Sequence, residues 1–364
     1  MKVALLHYWL TNMRGGENVV EQFCKIWPDL DIFTHAYNPE AMSEQINSHS
    51  ITTNFINKLP GAKRNCQKYL PLMPRAIKSF NLSGYDCIIS SESGPIKGIR
   101  KPPKAIHICY CHTPMRYLWD MYDDYYLNAS FSQKVAMSMC KNYLRSYDLK
   151  SADSVDHFIA NSEFVAKRIK RIYDRESTVI HPPVDVDFYS QLSPEYGDYY
   201  LFVGQLTHYK RPDLAIEACT KMNRPIRIVG NGPLLSTLRK NAGDNVQFLE
   251  KVSSDQLRKL YAGAKALIFP GVEDFGIVPL EAQAAGTPVI AYRDGGAVET
   301  VIEDKTGLFF DQQNVSALQS MIEEFELQEK RFSLASIQSH AREFSEEKFR
   351  TTITSTINKM CPVN

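Results

Sequence analysis

The sequence predicts a parallel α/β protein built from two units. Short apolar runs typical of buried strands alternate with helical patterns along the whole chain, and this alternation favours parallel sheets covered by helices. A chain of 364 residues is long for one hydrophobic core and comfortable for two domains. The break is predicted at His181–Tyr200, where three prolines and a glycine precede a new strand.

Apolar runs predict six strands in the first half: Val3–His7, Asp31–Thr34, Cys87–Ser90, Ala105–Cys109, His157–Ala160 and Thr178–His181. Five more follow in the second half: Tyr199–Val203, Ile226–Val229, Val246–Leu249, Ala266–Phe269 and Val289–Ala291. Helical patterns in the second half cover Arg211–Cys219, Ser254–Ala262 and Val278–Ala285, and a last helix is predicted from about Ser345. Two doubly wound units of this kind would bind ligands at the carboxyl ends of their strands, in a cleft between them.

Composition and charge exclude several classes of protein. A hydrophobic content of 44%, a charged content of 23% and a net charge of +1 describe a globular protein and argue against a dedicated nucleic-acid binder. The eight cysteines show no spacing that would build a zinc site, so free thiols in a reducing compartment are predicted. The sequence shows no cleavable signal and no apolar run of about 18 residues. The protein is therefore predicted to be cytoplasmic.

A basic stretch lies in the first half of the chain. Lys58–Lys104 contains ten Lys and Arg against two acids, Asp86 and Glu92. Its first part, residues 58–80, mixes these charges with apolar side chains, a combination that suits an anionic membrane. Two predictions for this segment stay open. It either makes peripheral contact with the inner face of the plasma membrane, or forms a solvated helix that packs one apolar side against the core.

Two glutamates eight positions apart, Glu273 and Glu281, lie in the segment EDFGIVPLE. The apolar run before this segment and the helical pattern within it predict a strand, a loop and a helix that begins at about Val278. Gly276 then flanks a helix N-terminus, where free N–H groups and the helix dipole favour phosphate. Two carboxylates beside such an anion site can accept hydrogen bonds from the hydroxyls of a sugar and a ribose. The segment therefore predicts a sugar-nucleotide site.

Two further strand-to-helix turns carry groups suited to phosphate. Gly15-Gly16 follows the first strand, and glycines let the backbone approach a phosphate closely, although a plain tight turn explains the pair equally well. Lys210 and Arg211 stand before a helix in GQLTHYKRPD, where they are placed for charge-assisted contacts with a diphosphate. Both turns are predicted to lie at the carboxyl ends of strands, on the side where ligands bind.

His112 follows an apolar strand in ICYCHTPMRYLWD. A lone histidine at a strand end is often structural. Here, however, a polar and aromatic cluster follows it, formed by Arg116, Tyr117, Trp119 and Asp120. The cluster favours a role for this strand end in binding.

The predicted hinge contains Asp185-Val186-Asp187. Two aspartates at this spacing can hold a divalent metal in nucleotide-sugar enzymes. The pair lies outside any predicted strand end, so a structural role is favoured and no metal site is predicted.

Taken together, these segments resemble the retaining family 4 glycosyltransferases. The likeness runs in family order through the glycine pair, HTPMRYLWD, ANSEFVAKRI, HPPVD, YKRPDLAIEA and EDFGIVPLEAQAAG, over most of the chain. The HTPMRYLWD stretch is similar to that of bacterial O-antigen and exopolysaccharide mannosyltransferases. The resemblance implies the GT-B fold, in which two Rossmann-like doubly wound domains face a central cleft.

The resemblance also implies a division of the chain and of its roles. It implies an acceptor-side domain at 1–182, a nucleotide-sugar-binding domain at 183–344 and a C-terminal helix at 345–364 that crosses back to the first domain. The residues implied in catalysis are His112, next to the donor sugar, Glu273 and Lys210. The residues implied in donor binding are Gly15, Gly16, Gln205, Lys210, Arg211, Glu273, Phe275, Gly276, Ile277 and Glu281. The residues implied on the acceptor side are Arg116, Tyr117, Trp119 and Asp120.

The activity that this resemblance implies is retaining transfer of mannose from GDP-mannose, without a metal or another cofactor. The acceptor that the resemblance implies is a glycan or a polyprenyl-linked oligosaccharide in the synthesis of a cell-surface polysaccharide. The family usually has an arginine where this chain has Gln205, which removes one fixed positive charge from the diphosphate site. Two alternatives stay open: a sugar-nucleotide epimerase of the same fold, and a non-catalytic partner that binds nucleotide sugars in a polysaccharide assembly complex.

Overall fold

The structure of the chain is a computed structural model, and it describes residues 1–361. It consists of two compact units, one formed by Met1–Pro182 with the described chain from Phe349 onward, the other by Pro183–Lys348. The bounds expected from the sequence are 1–182, 183–344 and 345–364. The structure thus divides the C-terminal segment at Lys348, and residues 362–364 of the predicted helix lie outside the described residues.

The first unit contains a parallel sheet of seven strands. The strands are β1 (Val3–His7), β2 (Asp31–Thr34), β3 (Ile51–Thr53), β4 (Cys87–Glu92), β5 (Ile106–Cys111), β6 (His157–Ala160) and β7 (Ser177–Val179). Their order is β3-β2-β1-β4-β5-β6-β7. Strands are added outward in one direction from β1 to β3 and in the opposite direction from β4 to β7, so the strand order reverses between β1 and β4. In such sheets ligands bind outside the carboxyl ends of the strands at this reversal.

Helices connect these strands. They are α1 (Gly15–Ile26), α2 (Glu44–Asn47), α3 (Met73–Ala76), α4 (Tyr122–Leu127), α5 (Phe131–Ala152) and α6 (Glu163–Tyr173). Local chemistry sets where the longer ones begin: Ser130 and Gln133 form a capping box before α5, and the Ser162 hydroxyl accepts from the Val165 N–H at the start of α6.

The second unit repeats the arrangement with six parallel strands. They are β8 (Tyr200–Val203), β9 (Ile226–Val229), β10 (Val246–Leu249), β11 (Leu267–Phe269), β12 (Val289–Tyr292) and β13 (Gly307–Phe310), in the order β10-β9-β8-β11-β12-β13. The helices are α7 (Val186–Tyr189), α8 (Pro212–Lys221), α9 (Leu235–Asn241), α10 (Ser254–Ala262), α11 (Ile277–Ala284), α12 (Ala297–Thr300), α13 (Val315–Gln328) and α14 (Leu334–Arg342). Here the order reverses between β8 and β11.

The last helix, α15 (Glu346–Met360), contributes to the core of the first unit. Its side chains Phe349, Ile353 and Ile357 are buried among apolar residues of β1, α1 and β5. The spacing of four residues between them puts all three on one face of the helix, and that face is the one that packs.

The predicted strands are confirmed with shifts of one or two residues at their ends, but two strands were missed. β3 and β13 are short, and no alternation or long apolar run marks either of them. The expectation of a solvated helix at 58–80 is wrong. That segment contains the 3-10 turns Phe55–Lys58 and Cys66–Leu72 and the single α-helical turn α3, because its prolines interrupt a continuous helix.

Candidate functional site

In the second unit, Lys210 and Glu273 pair directly. Lys210 ends a short 3-10 turn after β8, and Glu273 lies in the loop after β11. The lysine Nζ donates to Glu273 Oε1 over 2.8 Å, and the two side chains are 13% and 20% exposed. This is a charge-assisted hydrogen bond in a mostly buried position. The structure therefore brings these two predicted residues together at the carboxyl ends of the strands where the order reverses.

The loop that carries Glu273 is held by the turn after β12. The backbone N–H of Gly296 donates to the Glu273 carbonyl over 2.8 Å. Gly276 ends the loop with φ +108, a left-handed conformation that glycine adopts without strain. The loop thus has a fixed path into α11, which begins at Ile277, one residue before the predicted start.

The residues around this helix start differ in exposure. Phe275 is buried and its ring packs against Phe344, with the centroids 5.8 Å apart. Ile277 is half-buried. The first N–H groups of α11 lack partners within the helix, as at any helix start, and the dipole favours an anion there.

Glu281 lies one turn into α11. Its Oε2 accepts from the Tyr261 hydroxyl over 2.8 Å, and it also interacts with the hydroxyl of Tyr189. Burial raises the pKa of the Glu281 carboxyl to about 7, with both tyrosine hydroxyls and Lys210 acting against that rise. Neither tyrosine is predicted from the sequence, because Tyr189 lies in α7 and Tyr261 lies in α10, and neither is part of a motif.

Arg211 and Gln205, both predicted to bind the donor, differ in their surroundings. Arg211 is the N-cap of α8 with φ +53, and its guanidinium donates to both carboxylate oxygens of Asp213 and to the side chain of Gln313. Part of its charge is therefore already neutralised within the unit. Gln205 is exposed in the loop directly after β8.

In the first unit, a chain of polar groups leads to His112. His7 at the end of β1 and His112 after β5 both contact the hydroxyl of Ser91, which lies on β4. The distances are 3.0 Å from His7 Nδ1 and 2.8 Å from His112 Nε2 to Ser91 Oγ. The other nitrogen of His7, Nε2, faces Glu17 Oε1 at 3.5 Å, and both side chains are buried. Three strand ends and the first turn of α1 are thus joined by one buried network.

This network limits how the two histidines can share their protons. When Glu17 is ionised, its carboxylate favours a proton on His7 Nε2, which leaves Nδ1 to accept from the Ser91 hydroxyl. Ser91 Oγ can then accept from a proton on His112 Nε2, and His112 Nδ1 becomes a hydrogen-bond acceptor. Burial, with a smaller effect of nearby His7, lowers the pKa of His112 to about 3. His112 is therefore neutral at physiological pH.

The glycine pair Gly15-Gly16 starts α1 beside this network. A side chain at Gly16 would place its Cβ 2.8 Å from the Tyr8 hydroxyl and 3.7 Å from His112 Nε2. A larger residue at position 16 would therefore displace the Tyr8 hydroxyl. The pair lies at a strand end as predicted, and its contact with a donor stays a prediction.

The predicted acceptor-side residues make contacts within the unit. The Trp119 indole N–H donates to Asp148 over 2.7 Å. Asp120 pairs with Arg171 and, over 2.5 Å, with Arg168, whose guanidinium also donates to the Thr113 hydroxyl over 2.6 Å. These contacts tie the HTPMRYLWD segment to α5 and α6. Arg116 and Tyr117 are half-buried, and a role of this segment toward an acceptor stays a prediction.

Asp148 belongs to a buried ion cluster that was not predicted from the sequence. The Lys97 ammonium is 1% exposed and pairs with the carboxylates of Glu92 and Asp148, which are 1% and 0% exposed. Burial opposes the charged form of Lys97, but the two carboxylates raise its pKa well above the ordinary value. In the sequence Lys97 belongs to the basic stretch Lys58–Lys104. It contributes no surface charge.

Within residues 1–361, no group of three or more His, Cys, Asp or Glu side chains is arranged to hold a metal. The Asp185 carboxylate accepts from the Phe188 N–H over 3.0 Å and caps α7. That contact gives the first aspartate of the D-x-D pair a structural role.

Solved structures share this architecture over the whole chain. HepE of Anabaena in complex with UDP matches 99% of this chain and 100% of its own, with a TM-score of 0.72 and 18% identity. Sucrose-phosphate synthase of Thermosynechococcus elongatus matches 99% of both chains, with a TM-score of 0.74 and 18% identity. At such identities the likeness concerns the fold alone. The two parallel Rossmann-like sheets define the GT-B fold found in glycosyltransferases, as predicted.

Family comparisons identify the chain more closely. The family described as Glycosyltransferase Family 4 matches residues 13–188, and the one described as Glycosyl transferases group 1 matches residues 185–344. The chain belongs to the family 4 glycosyltransferases of GT-B fold.

Individual relatives share only part of their sequence with this chain. The D-inositol 3-phosphate glycosyltransferase of Corynebacterium urealyticum is 25% identical over 84% of this chain and 81% of its own length. The enzyme of the same name from Mycolicibacterium smegmatis is 28% identical over 53% of this chain, and the match spans only 50% of that relative. A GDP-mannose-dependent alpha-(1-6)-phosphatidylinositol monomannoside mannosyltransferase of M. smegmatis is 35% identical over 33% of this chain and 36% of its own length.

Among residues 1–361, no helix combines the length and the apolar character needed to cross a bilayer.

Proposed function

We propose that the protein is a retaining glycosyltransferase that moves mannose from GDP-mannose to a glycan or polyprenyl-linked oligosaccharide during synthesis of a cell-surface polysaccharide. The observation that carries the proposal is the pairing of Lys210 with Glu273 at the carboxyl edge of the second sheet. One cation, one carboxylate and a helix N-terminus lie within a single strand-end site, which suits a diphosphate joined to a sugar.

Each group has a role in the proposed reaction. Lys210, with Arg211 and the start of α11, stabilises the negative charge that develops on the β-phosphate as the glycosidic bond breaks. Glu273, with the backbone of Phe275 and Gly276, accepts hydrogen bonds from the sugar hydroxyls. The existing ion pair holds Lys210 and Glu273 in place before the donor binds, which lowers the cost of ordering them.

Glu281 is proposed to accept hydrogen bonds from the ribose hydroxyls. Its carboxylate has the capacity for them, because two oxygens offer about four lone-pair positions. The hydroxyls of Tyr261 and Tyr189 occupy some of these positions and orient the carboxylate.

His112 is proposed to contact the donor sugar, as the family resemblance implies. In the proposed protonation pattern His7 carries its proton on Nε2 toward Glu17, and the neutral imidazole of His112 is a hydrogen-bond acceptor at Nδ1. A sugar hydroxyl is a suitable donor to this nitrogen. His112 therefore acts in the proposal by holding the sugar and not by transferring a proton.

The proposal also includes retention of the anomeric configuration of the sugar and independence of a metal ion. Attack by the acceptor hydroxyl on the face that the diphosphate leaves, with the leaving phosphate as base, gives retention without a protein nucleophile. Lys210, Arg211 and the helix dipole supply the positive charge that a metal supplies elsewhere.

The identity of the donor has two competing indications. The relative named for GDP-mannose supports guanine and mannose, whereas the structure of HepE holds UDP. The HTPMRYLWD stretch favours the mannosyl group, and GDP-mannose is therefore the proposed donor.

Transfer to a set of acceptors tests this function. The purified protein is incubated with GDP-mannose, UDP-glucose, UDP-galactose and ADP-glucose, each with and without a bacterial polyprenyl-linked oligosaccharide fraction and with and without EDTA. The expected result is acceptor-dependent mannose transfer that survives EDTA, with the α-configuration of the donor kept in the product by NMR. Glu273→Gln is expected to lower kcat at least about a hundredfold.

Other outcomes would contradict the proposal in different ways. An isomerised sugar formed without acceptor would identify an epimerase. Donor binding without turnover on any acceptor would favour the non-catalytic partner. An inverted product or loss of transfer in EDTA would overturn the retaining or the metal-independent part alone.

A further inference from the structure

Three buried charges in the first unit form one cluster, here called the Lys97 cluster. Its members are Glu92, Lys97 and Asp148, and none of their side chains is more than 1% exposed. Glu92 ends β4, Lys97 lies in the loop after it, and Asp148 lies in α5. Besides the two ion pairs, the Lys97 backbone N–H donates to Glu92 Oε2 over 2.6 Å. The Tyr173 hydroxyl of α6 donates to Asp148 over 2.9 Å. The cluster therefore joins a strand end to two helices.

The segment at 112–120 is attached to this cluster through Trp119. The indole N–H of Trp119 donates to Asp148 Oδ2 over 2.7 Å. Arg145, also on α5, donates to the Leu118 carbonyl over 2.6 Å, and its guanidinium carbon lies 4.9 Å from the centroid of the Trp119 ring. A hydrogen bond to an ionised carboxylate is stronger than one between neutral groups. The indole is therefore held both by its N–H and over one face of its ring.

Tyr117 is directed toward the same charges. Burial and, after it, the charges of Asp148 and Glu92 raise the pKa of the Tyr117 hydroxyl well above its ordinary value. This hydroxyl is buried, and within residues 1–361 it has no hydrogen-bond partner. The family resemblance implies an acceptor-side role for Tyr117 and Trp119, and both side chains are directed toward the Lys97 cluster.

The Lys97 cluster also reaches His112. The His112 backbone N–H donates to the Glu92 carbonyl over 2.8 Å. Ser91, the neighbour of Glu92 on β4, carries the hydroxyl that contacts His112 Nε2 at 2.8 Å. The strand end that holds His112 is therefore the one that Lys97 holds through Glu92. One cluster supports the histidine proposed to contact the donor sugar and the segment implied on the acceptor side.

We propose that the Lys97 cluster is a positioning device for the proposed transfer, and that Trp119 is the positioning residue through which it acts on the acceptor side. The cluster holds His112 and residues 113–120 in one arrangement before ligands bind, and groups ordered in advance lose less entropy on binding. A displacement of about 1 Å in such an arrangement can lower the rate about a hundredfold. Trp119 acts through the segment, and its indole N–H makes no contact with the acceptor. The inference rests on the proposed function, which supplies the acceptor and the donor sugar.

Stability alone gives little reason for this cluster. Burying charges costs solvation free energy, and apolar side chains of similar volume often give equal or greater stability than a buried ion pair. Ion pairs and hydrogen bonds are directional, however, so they hold their partners in one geometry. The contacts of Glu92 and Asp148 reach His112 and Trp119, and these belong to the two parts of the chain that the proposed reaction requires to be fixed relative to each other.

The experiment uses the full chain with the variants Trp119→Phe and Tyr173→Phe. Trp119→Phe removes the indole N–H and keeps an aromatic ring. Tyr173→Phe removes one donor to Asp148 and leaves the segment unchanged in sequence. Trp27→Phe is the matched control, since the Trp27 ring stacks on that of Phe23 with the centroids 6.0 Å apart.

Two kinds of measurement are made on each variant. NMR of protein with isotope-labelled histidine reports on the His112 imidazole, and His112→Gln assigns the signal. Steady-state kinetics measure transfer, calorimetry measures the affinity for GDP, and thermal unfolding gives the Tm.

Trp119→Phe is expected to lower kcat/KM for the acceptor about tenfold or more, because a hydrogen bond to a buried charge is lost. Its affinity for GDP is expected to equal that of the wild type, because the proposed nucleotide-binding residues lie in the second unit. The His112 signal is expected to shift in Trp119→Phe and in Tyr173→Phe, and to stay in place in Trp27→Phe.

The proposal is overturned if the His112 signal is unchanged in Trp119→Phe, if that variant transfers as well as the wild type and differs only in Tm, or if Trp27→Phe loses as much activity. Absence of transfer by the wild type to every acceptor would contradict the proposed function alone, because the His112 signal still tests the Lys97 cluster. Wild-type transfer with an unshifted His112 signal in both cluster variants would contradict the inference alone.

Discussion

The hydroxyl of Ser91 lies 2.8 Å from Nε2 of His112, and through it His112 is joined to His7 and Glu17. A neutral histidine can present either a donor or an acceptor to a ligand, and its partner on the other nitrogen decides which. Ser91 is therefore a positioning residue for His112 in the proposed reaction.

Ser91→Ala is expected to lower kcat about tenfold with a smaller change in KM, because removal of one buried hydrogen bond leaves His112 without a fixed tautomer. Steady-state kinetics with a soluble acceptor measure the change. Ser90→Ala is the matched control, since the neighbouring Ser90 contacts His107 Nε2 at 2.9 Å and has no hydrogen bond to His112. Equal losses in the two variants would show that the effect is only structural.

Donor binding is expected to tighten as pH rises through about 7. Burial raises the pKa of Glu281 to about 7, and the ionised carboxylate is the better acceptor for the ribose hydroxyls. Calorimetry at pH 6 and pH 8 measures the affinity. Glu281→Gln is expected to bind weakly and with the same affinity at both pH values, and an unchanged pH dependence in this variant would refute the assignment.

The free energy of unfolding is expected to fall as the solution is made mildly acidic. Burial lowers the pKa of His35 and His107 to about 4 and that of His112 to about 3, whereas an unfolded histidine titrates near 6.5. Between these values the three histidines bind more protons in the unfolded chain and lower the stability below about pH 6.5, whereas the carboxyls of Glu281 and Glu92, whose pKa burial raises to about 7, offset part of this decline. Each group contributes up to about 1.4 kcal/mol per pH unit.

Urea unfolding between pH 7 and pH 5 measures this decline. His35→Gln is expected to reduce its slope, and His208→Gln, at an exposed position, is expected to leave the slope unchanged. An equal slope in His35→Gln and the wild type would contradict the assignment of a buried neutral His35.

The buried cluster around Lys97 is expected to be sensitive to loss of its cation. Lys97→Met leaves the carboxylates of Glu92 and Asp148 buried without a cation to neutralise them, and such a loss costs about 3–5 kcal/mol in the free energy of unfolding. Lys68→Met, at an exposed position, should change it by less than about 0.5 kcal/mol. Similar values for the two variants by urea unfolding would show that Lys97 is not paired as described.

Much of the fold follows from the sequence, because parallel strands buried on both faces read as short apolar runs. β13 was missed since Gly307 opens a run of only three apolar residues, and β3 since Ile51–Thr53 holds one apolar residue. Pairs such as Lys210 with Glu273 could be placed at the same sheet edge but not in contact, because 63 positions separate them. The burial of Lys97 could not be predicted, because its ion pairs form only in the folded chain and one of its two partners lies 51 positions away.

The central claim is that the second unit binds a nucleotide sugar through Glu281 and Lys210. Its most direct test is isothermal calorimetry of GDP-, UDP-, ADP- and dTDP-sugars with the wild type, Glu281→Ala, Lys210→Ala and the control Glu217→Ala, whose carboxylate is exposed on α8. One nucleotide, expected to be GDP, should bind the wild type and the control equally, and at least about tenfold more weakly to both site variants. Absence of binding to all four, or equal binding to wild type and site variants, would contradict the account.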